Sequence, residues 1–152
     1  MIYLTNGFSP SMLSVDGAII IHKKISVTEF CEGVKDERNI INAIGHKSTA
    51  EIVNMLCKTN YQMNRISIKL KPGDVAYVVT LTVRLEEGTI LGSGDIAAFY
   101  EQGKLAFFKY EIRAWNNECE KALNELVENA GRLDERGYDT LSMQIANCWL
   151  VR

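Results

Sequence analysis

The sequence contains two histidines, and one of them lies in "IGHKSTAEIV", residues 44–53. Glycine, histidine and two hydroxyl residues there precede an apolar-periodic run that reads as a helix, so His46 falls at or just before its N-terminus. That end carries unpaired N–H groups and partial positive charge, which makes it a seat for an anion. Either His46 is a neutral residue near a cap or something negative is meant to arrive. Other polar residues gather at element ends in the same way. Asn6 and Ser9 follow the first apolar run, and Ser48 and Thr49 open the helix after His46. Arg65 begins a strand-like segment, and Arg84, Glu86 and Glu87 finish the longest β-branched run. Element ends are where ligands approach a sheet. Singly, each has an ordinary alternative. A histidine near a cap is more often structural, Asn6-Gly7 is a turn former, and Arg84 with Glu87 makes a surface pair worth under about 1 kcal/mol. Spacing alone supports a binder of a small anion or nucleotide.

The elements that must position these residues follow from hydrophobic period and turn chemistry. "MIYLTNGF" and "GAIIIHKKI" read as strands. Ser26 and Glu29 have capping-box spacing and open a short helix to about Gly33. "RNIINAI" reads as a second short helix ended by Gly45. Ala50, Val53, Leu56 and Cys57 share a face of the next helix, with Ser48 and Glu51 again in capping-box spacing. "RISIKL" alternates like a half-buried strand, "PGD" is a turn, and "VAYVVTLTVRL" reads as a central strand closed by "EEG". The first two of these pair as a hairpin over residues 65–84. "SGDIAAFYEQG" is a helix with a serine or aspartate cap and a glycine stop, and "KLAFFKYEIR" is the last strand. The fold class is α/β (α+β): a mixed central sheet of about five strands flanked by helices. Residues 1–114 form the domain. Residues 115–152 are a helical C-terminal extension: Ala122, Leu123, Leu126, Val127 and Ala130 make one apolar stripe, and "YDTLSMQIANCWLVR" follows the break at Gly137.

Composition narrows the function. The chain is 47% hydrophobic and 24% charged, with net charge −2 and a pI near 5.7, which suits a globular domain with a core and argues against a broad basic face for long nucleic acid. No apolar run of 18 residues is present, so no membrane span is expected. The N-terminus lacks the basic region and long apolar core of a signal peptide, which points to a cytoplasmic protein, in a host cell if the chain is viral. Cys31, Cys57, Cys119 and Cys148 have no CxxC spacing and read as reduced packing residues. No closely spaced Cys/His set suggests zinc, and neither metal nor cofactor is expected.

Four blocks, "YLTNGFSPSML", "IINAIGHKSTAEIVNMLC", "NRISIKLKPGD" and "RLEEGTIL", resemble in order and spacing the viral ring nucleases, small proteins used against type III CRISPR immunity. The likeness runs from about Tyr3 to Ile112. It implies a metal-independent enzyme that cuts the second messenger cyclic tetra-adenylate and works as a two-fold homodimer. It also implies that His46 is the general acid, that Arg84 and Glu87 are the other catalytic-site residues, and that Asn6, Ser9, Ser11, Ser48, Thr49 and Arg65 line the ligand. Thr80, four residues before the arginine, is a further ligand-lining position, where relatives can carry glutamine. The tail after Ala114 is not part of the resemblance. The residue types suit this chemistry on their own terms: an RNA linkage brings its own 2′-OH nucleophile, a histidine can protonate the leaving oxygen, and an arginine can stabilise phosphorane charge. The rival expectation is a sponge that binds a cyclic nucleotide messenger without cutting it. A structural or transcriptional interaction protein is a more distant alternative, disfavoured by the missing basic face.

Overall fold

A computed structural model describes residues 1–83 and 92–129. Five strands, β1 (Ile2–Thr5), β2 (Ala18–Ile25), β3 (Ile40–Ala43), β4 (Val75–Leu81) and β5 (Leu105–Ala114), make one mixed sheet in the order β2-β5-β4-β1-β3. β1 runs parallel to both β3 and β4, with Tyr3 opposite Ile41 and Ala76. β5 is antiparallel to β4 and β2. Four helices accompany them among the described residues: α1 (Val27–Val34), α2 (Lys47–Cys57), α3 (Ser93–Glu101) and α4 (Asn117–Asn129).

Alternation along the strands sorts side chains onto two faces. Leu4, Val79 and Phe107 join one core with α1, α2 and α3, through Phe30, Val53 and Ile96. Tyr3, Val78 and Ile112 join a second core on the opposite face. None of the residues of α1, α2 or α3 joins that second core. It is roofed by the stretch around Phe8, Met12 and Leu13 and by Ile68 and Leu70. β1, the inner parallel strand, is buried at Tyr3, Leu4 and Thr5, which is why it reads as a continuous apolar run.

This arrangement corrects two expectations. "RISIKL" is not a strand, and the 65–84 hairpin does not form: β4 has β1 and β5 as neighbours. The alternation holds only in part, since Ile66 is 45% exposed. Ile68 and Leu70 are buried while Arg65, Ser67 and Lys69 are exposed, but the segment lies over the sheet face and not beside a strand. Its ladder contact among the described residues is the single bridge between Leu13 and Leu70. A period of two reports one-sided burial, and a covering segment needs that as much as a strand does. "RNIINAI" is likewise not a helix. A 3₁₀ turn at Glu37–Asn39 leads into β3. Ile40, Ile41 and Ile44 fit either period in so short a run, and pairing with β1 decides for the strand.

Helix starts are partly as read. Ser26 caps α1, its hydroxyl accepting from the Glu29 N–H at 3.1 Å, while the Glu29 carboxylate binds Lys23. α3 is preceded by Gly92, whose N–H donates to Asp95 at 2.9 Å, and Gly103 at φ +68 stops it. α2, however, is capped at His46 and not at Ser48, so the Ser48–Glu51 capping box is not formed; Glu51 faces Lys47 at 3.8 Å. Cys31 and Cys57 were expected to be reduced. They are joined in a disulfide that ties α1 to α2 with a Cα separation of 4.8 Å. Cys119 is a buried free thiol, as read, and Cys148 lies outside the described residues. α4 buries Cys119 and Ala122, and Asn116 caps it through the Cys119 N–H. Leu123 is 41% and Val127 66% exposed on the expected stripe. The final apolar segment, from Tyr138, lies outside the described residues. No helix among the described residues is long and apolar enough to cross a membrane.

Candidate functional site

The carboxyl ends of β1, β3 and β4 open at the same end of the sheet, because the three strands run parallel. Asn6 follows β1 directly and Gly45-His46 follows β3, so the topology brings together residues forty positions apart. The contact is direct: the Gly45 N–H donates to Asn6 Oδ1 at 2.7 Å. Arg65 joins them from the covering segment, its Nε and Nη2 both donating to the Gly45 carbonyl at 3.2 and 3.1 Å. A Cβ placed on Gly45 would meet Asn6 Oδ1 at 3.5 Å and Arg65 at 3.9 Å, so this glycine sits between the two side chains.

His46 adjoins this knot as the N-cap of α2, extended at φ −128 and ψ 131, exposed, and making no side-chain cap bond. Its carbonyl accepts from the Ala50 N–H and closes the first turn. The next residues carry N–H groups that the helix itself cannot satisfy. Ser48 is half-buried in that turn, and Thr49, at 5% exposure, faces inward. Thr80 is half-buried near the end of β4, opposite Ala106.

Ser9 and Ser11 form a second group on the 3₁₀ turn Pro10–Met12. Their hydroxyls lie 2.9 Å apart, and Lys69 donates to the Ser11 carbonyl at 2.9 Å. Arg65 and Lys69 are thus both held by backbone carbonyls, and neither makes an ion pair among the described residues. A cation docked on a neutral acceptor keeps its charge for an incoming anion. Arg84, Glu86 and Glu87 lie outside the described residues. Among the described residues no group of three His, Cys, Asp or Glu side chains is placed to hold a metal ion.

Sequence reasoning missed the clamp that aims Arg65. Asn42 accepts from the Ile44 N–H and donates to the Gln62 carbonyl, while Asn64 donates to the carbonyls of Asn42 and Ile44. The two asparagines bind the 62–64 stretch to the end of β3 and fix the residue that follows. Asn64 stands next to Arg65 in sequence, but nothing in that stretch announces its partner 22 positions away. Lys69 was visible only as a solvent-side residue of an alternating run.

The model of the STIV B116-like family matches residues 2–111. The chain belongs to that family. Its relatives are proteins of archaeal viruses. It is 41% identical over 112 residues to the uncharacterized protein ORF116 of Acidianus filamentous virus 1 (isolate United States/Yellowstone), which spans 74% of this chain and 96% of that protein. It is 32% identical over 91 residues to the uncharacterized protein 26 of Sulfolobus islandicus filamentous virus (isolate Iceland/Hveragerdi), or 60% of this chain and 76% of that one. The solved structure of B116 of Sulfolobus turreted icosahedral virus superposes with a TM-score of 0.68 at 39% identity, covering 72% of this chain and 97% of that one. The B116-like core therefore includes the sheet, α1 to α3 and the loop ends that carry Asn6, His46 and Arg65. The match stops within β5, so α4 and the residues after it lie beyond the family's extent.

Proposed function

We propose that this B116-like protein is a metal-independent ring nuclease that cleaves cyclic tetra-adenylate in the cytoplasm of an infected cell and so silences type III CRISPR signalling. One observation carries the reading. Arg65, the free N–H groups of the α2 N-terminus and His46 converge beside the Asn6–Gly45 bond, at the carboxyl ends of three parallel strands. That is a positive, hydrogen-bonding rim with an exposed histidine on it, and it supports a phosphodiester ligand. The motifs around His46 and Arg84 supply the ring-nuclease identity by resemblance.

The chemistry follows from the parts. The rim aligns a ribose 2′-oxygen with the adjacent phosphorus; orientation alone can supply about 7 kcal/mol of the barrier. The 2′-oxygen bonds to phosphorus as the bond to the 5′-oxygen breaks. His46 delivers a proton to that leaving oxygen, and the 2′-hydroxyl proton passes to water. Arg65 and the α2 amides bind the phosphate, with Arg84 and Glu87 completing the site as the resemblance implies. Two copies about a two-fold axis would present one His46 each to opposite linkages of the four-nucleotide ring, and two cuts yield linear di-adenylates ending in a 2′,3′-cyclic phosphate. Incubation of labelled cyclic tetra-adenylate with the protein in chelator, followed by mass analysis, tests the reading. Di-adenylate with the cyclic phosphate is expected. Intact ring bound tightly to the protein would replace the enzyme with a messenger sponge.

A further inference from the structure

On the helical side of the molecule, well away from Asn6, His46 and Arg65, α1, α2 and α3 leave a groove of about 270 Å³. It is lined by Val27, Met55, Leu56, Lys58, Ile96, Ala97, Tyr100 and Leu105. Its floor is apolar and buried: Ile96 and Leu105 are each 2% exposed. Its rim is adaptable, with Met55 38% and Tyr100 41% exposed. Two of the lining residues are polar, and no carboxylate is among them. Lys58 caps α2 in the left-handed conformation at φ 57, its N–H bonded to the Asn54 carbonyl. Its ammonium makes no ion pair among the described residues. Tyr100 is the other polar lining residue.

We infer that this groove is a second binding site, for a small amphipathic anion with an aliphatic body and one carboxylate. An apolar cavity with one or two placed polar groups is the usual make-up of a small-molecule site, and this volume lies just under the lower end of the usual range, roughly 300 Å³. The aliphatic floor takes a chain by the hydrophobic effect, and Met55 can repack around it. With Lys58 and Tyr100 in the lining and no acid among its described residues, the headgroup that complements the site is a single anion.

Octanoate is the probe, followed by two-dimensional NMR of the full chain, with octan-1-ol as the neutral-headed control and acetate as the control without a tail. Saturable octanoate shifts are expected at the amides of Leu56, Ala97 and Tyr100, with octan-1-ol weaker by about fivefold, the scale of one partly exposed ion pair, and acetate not saturating. Ala97→Trp fills the groove from an exposed helix position and should abolish the shifts while the rest of the spectrum is retained. Lys58→Met should bring octanoate down to the level of octan-1-ol. Octanoate binding unchanged in Ala97→Trp would overturn the site, and equal affinity of the parent protein for octanoate and octan-1-ol would overturn the assigned anion. Shifts of the same amides on raising protein concentration alone would mean that a second copy occupies the groove, and would also overturn the proposal.

Discussion

His46 and Arg65 divide the work that a phosphodiester site requires, and their substitutions separate it. His46 offers one exposed ring at a helix start and caps nothing with its side chain. His46→Ala is therefore expected to fold and to bind cyclic tetra-adenylate, while single-turnover cleavage falls about 10²- to 10⁴-fold, the span typical of a lost acid–base group. Cleavage at the parental rate would remove the central claim. Arg65 already holds the Gly45 carbonyl with two donors, and its charge meets phosphate before as well as during the reaction. Arg65→Ala should weaken binding and rate together; calorimetric titration of the ring beside the same cleavage assay checks this, and a loss confined to rate would reassign the residue.

At the scale of elements, α2 is the pivot, and its far end is fastened to α1 by two devices. The first is the Cys31–Cys57 disulfide. The wide spacing of the cysteines, with no CxxC pair, reads as packing thiols, and it is the contact of α1 with α2 that brings these two together. Cross-linking limits the unfolded chain, so replacing both cysteines by alanine should cost about 3 kcal/mol. Thermal melts with and without reductant should differ for the parent and coincide for the double variant. The second device is Tyr61, 5% exposed, whose hydroxyl donates to the Val34 carbonyl at 2.6 Å. Burial first, then the charges of Glu37 and Asp36, push its pKa from 10.0 up to about 12. The folded state thus holds the phenolic proton more tightly than the unfolded one. The stabilisation is fully present below pH 10 and is lost as pH rises through about 12, to the extent of about 2–3 kcal/mol. Urea unfolding at stepped alkaline pH should show a smaller loss over that window in Tyr61→Phe than in the parent. At neutral pH the variant should be less stable by about 1 kcal/mol for the missing hydrogen bond.

For the whole molecule, the proposed reaction sets the assembly. A ring of four nucleotides has two-fold symmetry, and a single chain offers one His46. A symmetric dimer is therefore expected, in line with the commonest closed symmetry. Light scattering at micromolar concentration, with and without ring, should give twice the chain mass; a monomer in both conditions would rule out the shared site. The family match ends at residue 111, before α4, which buries Cys119 and Ala122.

What the order of residues determines by itself is local. β-branched and aromatic runs made β1, β2, β4 and β5, because their neighbours in sequence share one environment. The hydroxyl at Ser26 and the glycine at 103 placed helix ends, because caps act within one turn. The quoted blocks around His46 and Arg65 made the candidate residues legible before any coordinates. What the tertiary structure alone decided is the pairing of distant segments. The 40–43 stretch is a strand because β1 lies beside it, and residues 65–70 are a roof because Ile68 and Leu70 pack with Tyr3, Val78 and Ile112 on the sheet face beneath. Cys31 meets Cys57 because α1 packs on α2. Asn6 reaches Gly45 because two parallel strands end together. Alternation and spacing record which side of a segment is buried, and carry no information about which other segment buries it.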